Sequence, residues 1–275
     1  MPLATDADHG LLPRDSVARR LNRESFLLLG GTAALLLQVA HPLVAAGVHQ
    51  HSDFRRHPLG RLHRTLNTTL ATVFGDTLAA RRALRRIDDR HGAIAGMAVD
   101  GRAYRARDPR LLLWVQTTLV LTSLRFYELV VGPLSATDRE RYWDEAKIIA
   151  HELGVPDELF PPTIGDLVAY ERDMLATGVD PDATSYIVGR SVLRPFPFLP
   201  DVAYWPNDAL AAGLLPPSVR DAFGLRYGAA ERFFFLFTVV ALRSLRVLLP
   251  ERLTVVPHAR SVSPLASTAS PRRVP

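Results

Sequence analysis

The stretch RRALRRIDDRHGAIAG, residues 81–96, decides the fold because its apolar positions recur at helical spacing. Successive members of this set are three, four and three residues apart: Leu84, Ile87, His91 and Ile94. Such spacing places them on one face of a helix, whereas most of the arginines fall on other faces. The pattern therefore predicts a charged helix that directs His91 toward the protein interior.

An inward histidine has two ordinary uses, and the residue pattern leaves both open. The ring can be a core residue whose nitrogens bond to the backbone. Alternatively, a neutral imidazole facing a dry cavity can bind a metal or a haem iron.

Composition favours one domain and narrows the classes of function. The chain has 275 residues, 48% of them hydrophobic, and no Ser/Gly-rich linker divides it. Its net charge of +5 comes almost entirely from arginine, which suits carboxylates such as haem propionates. Acidic residues are interspersed and no nucleic-acid motif accompanies the arginines, so we expect no nucleic-acid partner. The absence of cysteine excludes disulfides, thiolate ligands and iron–sulfur clusters.

Helical periodicity and start signals predict an all-α fold. Asp108-Pro109 opens a helix with a capping residue and a proline at its first position, and residues 111–124 follow without a charge. We expect a single multi-helix globular domain around a buried pocket at residues 21–256. A flexible leader is predicted at residues 1–20 and a disordered tail at residues 257–275.

Residues 26–48 form an apolar run of 23 residues without a formal charge. That length would span a bilayer, and the preceding Arg19-Arg20 pair suggests a twin-arginine export signal as a further alternative. However, Gln38, His41 and Pro42 lie inside the run. We favour a buried core helix that ends near His41-Pro42 and is followed by a second short helix, because proline disfavours helix at the residue before it.

The region after this run contains most of the remaining candidate residues. Five of the nine histidines lie between residues 41 and 63, but they lack the HExxH pairing, so we predict no structural zinc site. A helix is expected from Gly60. Its polar stripe, Arg61, Thr65, Thr68 and Thr72, is either a solvated face or the lining of a polar cavity.

Several short motifs recur here in the order found in one known family. They are QVAHPLVAAGVHQHSDF, RLHRT, VFGD, RHGAIAG, GRAYRARDPRLLLWVQTTL and RYWDEAKIIAHELGVP, and they cover roughly residues 25–170. In these motifs the chain resembles the haem-dependent oxygenases that include the latex-clearing rubber oxygenase and the MpaB-type oxygenase. The resemblance implies an oxidoreductase with haem b that uses dioxygen to oxidise or cleave a hydrophobic, unsaturated substrate.

The resemblance also implies roles for five residues. His91 matches the proximal ligand of the haem iron. Arg61 and Thr65 match the catalytic pocket arginine and threonine, and Arg64 stands where the rubber oxygenases have lysine. His41 is the second histidine expected to face the pocket, so all five residues are predicted to bind the cofactor.

Two departures concern the chemistry. Residues 45–51 contain no acidic residue where the rubber oxygenases have a proposed base, and Gln116 replaces the histidine of a family W-V-H segment. For orientation of the His91 ring, the predicted partner is either Asp88, three residues earlier, or a backbone carbonyl.

Two rival interpretations and several locations stay open. The chain may be read as a non-enzymatic haem- or lipid-binding helical protein, or as a helical protein without a cofactor. We expect a cytoplasmic protein, with membrane association or twin-arginine export as alternatives. Membrane contact is not favoured.

Overall fold

Helices account for nearly all the regular structure in the part of the chain that the structure describes. This computed structural model describes residues 8–52, 58–196 and 198–260, and for residues 58–65 and 260 it describes the backbone alone. The helices are α1 Val17–Asn22, α2 Gly31–Ala40, α3 Pro42–His51, α4 Pro58–Phe74, α5 Thr77–Gly92, α6 Pro109–Val130, α7 Ala136–Glu152, α8 Ile164–Asp173, α9 Ala183–Leu193, α10 Trp205–Leu214, α11 Pro217–Ala222, α12 Ala229–Leu248, α13 Glu251–Thr254 and α14 Pro257–Arg260. Short 3-10 or π turns lie at Ser25–Gly30, Asp157–Leu159, Met174–Gly178 and Asp201–Tyr204.

A single antiparallel hairpin accompanies the helices in the described residues. Strand β1, Ala95–Met97, pairs with β2, Ala103–Arg105, and Gly96 lies opposite Tyr104. Gly101 has a φ of +83° in the connecting turn, a conformation that glycine adopts without strain. The predicted all-α fold is confirmed, and α5 ends before Ile94, which belongs to the turn leading into the hairpin.

The apolar run at residues 26–48 is broken where the sequence predicted. Helices α2 and α3 meet at His41, which is extended, and Pro42 occupies the first turn of α3. Most of α2 is buried, and Leu36 and Leu37 are completely inaccessible to solvent. No helix among the described residues is by itself long and apolar enough to cross a membrane, although Ser25–Ala40 and Pro42–His51 together pass that test with a bend of 105° between them.

Helix α6 runs through the centre of the core. Trp114, Leu121 and Phe126 are its largest fully buried side chains. Helices α2, α7, α8 and α12 pack around it, so its charge-free first half is enclosed on several sides. The Asp108 side chain accepts a hydrogen bond from the Arg110 amide and caps the helix as predicted.

The leader predicted at residues 1–20 is not flexible throughout, because several of its residues from Leu12 onward are buried in the core. Leu12 and Val17 are buried, as is Leu21 on the next turn of α1. The buried carboxylate of Glu145 on α7 accepts hydrogen bonds from the amides of Val17 and Ala18, at 3.2 and 2.7 Å. Because the apolar positions of this short segment recur at helical spacing, it has its own buried face and does not behave as a leader.

The C-terminal end of the domain contacts the residues that directly follow α1. The Val256 amide donates to the Arg23 carbonyl at 2.8 Å, and Arg246 on α12 makes an ion pair with the buried Glu24. The predicted tail begins too early, because α14 follows residue 256 and its Ala259 is buried. Residues 261–275 lie outside the described part of the chain.

Candidate functional site

His91 lies in the last turn of α5 and is half-buried. Burial lowers the pKa of its imidazole; the Asp88 charge opposes this effect and the Arg107 charge adds to it. The ring is therefore neutral at neutral pH. Within the described residues its side chain makes no hydrogen bond, so its nitrogen lone pair is available to a ligand-binding role.

Asp88 does not orient His91 by a hydrogen bond. Its carboxylate receives two bonds from Arg107, Nε to Oδ1 and Nη2 to Oδ2, both at 2.7 Å. The Arg107 guanidinium also donates to the Asp88 carbonyl at 3.1 Å. Asp88 instead joins the end of α5 to the segment after β2, and it acts on His91 through charge alone.

His41 is placed at the break between α2 and α3 and is 8% exposed. Its Nδ1 accepts a hydrogen bond from the Leu43 amide at 3.2 Å, so the ring caps α3. Burial lowers its pKa, and the nearby Arg102 charge lowers it further. A neutral ring that accepts at Nδ1 carries its proton on Nε2, which makes that nitrogen a donor.

A small apolar cluster joins the elements that carry the two histidines. Its members come from α3, the hairpin and the start of α6: Leu43, Val44, Ala46, Ile94, Ala98, Tyr104 and Leu111. At its edge the Tyr104 hydroxyl donates to Gln50 Oε1 at 2.6 Å, and Gln50 Nε2 donates to the Met97 carbonyl at 2.9 Å. The structure thus brings His41 and His91 to one end of the molecule.

Sequence reasoning missed Gln50 and Tyr104, although a signal was present. A Cβ at Gly96 would lie 2.7 Å from both the Tyr104 hydroxyl oxygen and Gln50 Oε1. A glycine within the RHGAIAG motif therefore marks a place where the hairpin backbone approaches polar side chains closely.

Trp114 lies one turn after Leu111 on α6 and is fully buried, and its Nε1–H finds no acceptor among the described residues. Its neighbours on the helix are satisfied: Gln116 Nε2 donates to the Ala146 carbonyl at 3.2 Å, and the Thr117 hydroxyl donates to Leu113 O at 2.8 Å. Gln116, which replaces the family histidine, therefore ties α6 to α7. An unpartnered buried donor usually marks a missing acceptor.

Three predicted site residues lie on the first half of α4. The backbone of α4 is described from residue 58, but the side chains of Arg61, Arg64 and Thr65 lie outside the described residues. Helices α4 and α5 are joined by two residues and pack together. The start of α4 is consequently at the same end of the helix pair as His91, and the role of these side chains stays a prediction.

This end of the molecule fits a largely apolar cofactor with one axial ligand. It combines a neutral, unbonded imidazole at His91, the unpartnered Trp114 donor and an apolar cluster. Among the described residues no group of three His, Cys, Asp or Glu side chains is arranged to hold a bare metal ion. A haem needs a protein ligand and apolar surroundings, and the imidazole of His91 and the apolar cluster fit these two requirements.

The helical fold and the histidine-bearing end define a class of helical proteins, and comparison with known families identifies the family. The family described as "ER-bound oxygenase mpaB/B'/Rubber oxygenase, catalytic domain" matches residues 18–244. The chain belongs to this family and carries an oxygenase-type catalytic domain, which makes it an oxidoreductase. The match begins within α1 and ends within α12.

Two mycobacterial relatives are similar over most of their length. They are the uncharacterized proteins Mb2261 of Mycobacterium bovis and Rv2237 of Mycobacterium tuberculosis. Each is 28% identical over 237 residues, which covers 80% of this chain and 89% of the relative.

Proposed function

We propose that the chain is a haem b-dependent oxygenase that oxidises or cleaves a hydrophobic, unsaturated substrate with dioxygen. Its family supplies the oxygenase class, and the observation that supports haem is His91: a half-buried imidazole with a lowered pKa and no hydrogen bond within the described residues. When bound, haem b supplies the iron centre that activates dioxygen.

In this proposal His91 would be the residue that holds the haem iron. Its neutral state is required because a protonated imidazole has no lone pair to give. The Asp88–Arg107 pair joins the last turn of α5 to the segment after β2. Trp114 would offer its indole N–H to an acceptor on the cofactor or on the substrate.

His41 takes a different role because its Nδ1 is already occupied by the Leu43 amide. Its Nε2–H is a donor, suited to an oxygen atom in the pocket and unsuited to an iron. Arg61, Arg64 and Thr65 would line the same pocket from α4, with Arg61 holding a carboxylate of the cofactor or polarising an oxygen atom. We also propose that the protein is cytoplasmic.

The test is haem retention in purified variants. His91→Ala should abolish the Soret band, since only apolar burial and carboxylate contacts would then remain to hold the cofactor. His41→Ala should retain most haem while changing the spectrum or the activity. His151→Ala is the matched control, because His151 is an exposed histidine on α7.

Three results would contradict parts of this proposal. A wild-type protein without a Soret band after haem reconstitution would exclude the cofactor and favour the cofactor-free interpretation. Full haem content in His91→Ala together with a colourless His41→Ala would exchange the two roles. Haem binding without oxygenated products from unsaturated hydrocarbons would favour a non-enzymatic haem protein.

A further inference from the structure

Helix α12 exposes apolar side chains in both its halves, with the exposed Arg243 and Ser244 between them. The exposed members recur at helical spacing: Phe233, Leu236, Phe237, Val240, Val247 and Leu248. Phe233 is 73% exposed and its ring stacks on that of Phe237, with centroids 6.4 Å apart. The helix has 20 residues, so this face is about 30 Å long at a rise of about 1.5 Å per residue.

The opposite face of α12 already packs on the protein. Phe235 and Val239 are buried, and the helix contacts α6 and α10 through that side. The apolar residues of the outer face therefore do not belong to the core. A continuous exposed patch of this kind marks an interaction surface more often than scattered exposed side chains do.

The acidic and basic side chains near this face differ in whether they have bonding partners. Glu231 accepts from the Gly228 amide and from Trp205 Nε1, and Glu251 pairs with Arg23. Arg232, next to Phe233 on α12, and Arg252, four residues after the helix ends, have no carboxylate partner among the described residues. Each end of the helix is thus followed or flanked by a guanidinium group without a carboxylate partner in that part of the chain.

We propose that α12 docks the protein on the surface of an anionic phospholipid bilayer. The aromatic and aliphatic side chains of the outer face enter the boundary between headgroups and acyl chains, and the arginines contact lipid phosphates. A second copy of the chain is disfavoured as the partner, because it would bring the same unpaired arginines without free carboxylates to receive them. This surface is separate from the histidine-bearing site, so its failure would leave the oxygenase proposal intact.

Co-sedimentation of the full chain with lipid vesicles tests the proposal. Wild-type protein should pellet with vesicles of phosphatidylcholine mixed with phosphatidylserine, and less with phosphatidylcholine alone. The double variant Phe233→Ser/Phe237→Ser should lower the partition coefficient at least about tenfold, because two aromatic rings no longer leave water. Arg232→Gln/Arg252→Gln should remove the preference for the anionic vesicles.

The matched control replaces two exposed apolar residues elsewhere. Leu78 and Val99 are 53% and 81% exposed on α5 and the hairpin turn, and Leu78→Ser/Val99→Ser should bind vesicles like the wild type. Equal loss of binding in this control, or no binding by the wild type, overturns the proposal. A dimer in solution that Phe233→Ser/Phe237→Ser dissociates, without vesicle binding, assigns the face to a second copy instead. Circular dichroism of each variant verifies that the helices are retained.

Discussion

The histidine-bearing end and helix α12 differ in how far their apolar side chains are buried. Around His41 and His91, apolar side chains of α3, the hairpin and α6 close on one another, and burial keeps both imidazoles neutral. On α12, an apolar stripe that includes Phe233 and Phe237 is in contact with solvent. The neighbouring elements therefore decide whether apolar side chains build a site or a surface.

The two regions also differ in the hydrogen bonds and contacts of their polar side chains. At the histidine-bearing end, Arg107 donates to Asp88, Tyr104 donates to Gln50, and Gln50 donates to the Met97 carbonyl, at 2.6–2.9 Å. On α12, the guanidinium carbon of Arg232 lies 5.5 Å from the centre of the Tyr227 ring. The first arrangement holds positions fixed, whereas the second leaves charge available to a partner.

Two phenylalanines of α12 provide the strongest test of the difference between buried and exposed apolar side chains. Phe235 is 6% exposed and Phe233 is 73% exposed. Phe235→Ala should lower the free energy of unfolding by about 3–5 kcal/mol through loss of burial and a residual cavity. Phe233→Ala should change it by no more than about 0.5 kcal/mol. Urea denaturation followed by circular dichroism measures both, and similar losses would show that the outer face is covered within the chain.

A smaller effect is expected at the cap of α6. Asp108→Ala removes the acceptor for the Arg110 amide and should cost about 1 kcal/mol of stability. Because the Asp108 charge raises the pKa of His41, the same change should also lower that pKa further. Asp108→Asn keeps a capping oxygen without the charge, so it should restore stability and leave the His41 titration shifted. An NMR titration in which neither variant moves the His41 signal would contradict this arrangement.

The smallest expected effect is a dependence of stability on mild acid. Burial lowers the pKa values of His41 and His91 from 6.5, so the unfolded chain binds more protons as the pH falls past that value. Stability is therefore full above pH 6.5 and decreases as the pH falls through it toward the folded-state values. His91→Gln should flatten this slope in urea titrations at several pH values. An unchanged slope in His91→Gln would contradict a buried neutral ring.

The sequence predicted those features that depend on local chemistry. Pro42 marked the break between α2 and α3, and Asp108-Pro109 marked the start of α6. Both signals act within one helical turn, because proline restricts the residue before it and a capping oxygen binds an amide two or three residues away. The helix that carries His91 was found by its periodicity for the same reason.

Features that join distant residues were not predictable in this way. Arg107 pairs with Asp88 across 19 residues and leaves His91 without the partner that local spacing suggested. Strands β1 and β2 have three residues each, too few to establish a period of two. The leader was misassigned because its anchor, Glu145, is 128 residues away from Val17.

That anchor has a consequence for how the chain folds during synthesis. The first turn of α1 takes its amide acceptor from Glu145, and the following segment is tied to Arg246 and to Val256. A ribosome makes the N-terminus first. The apolar side chains of α1 therefore stay without Glu145, Arg246 and Val256 until nearly the whole domain has emerged. We expect the first helix to be made early and docked late, which makes it the segment on which a chaperone acting at the ribosome would bind.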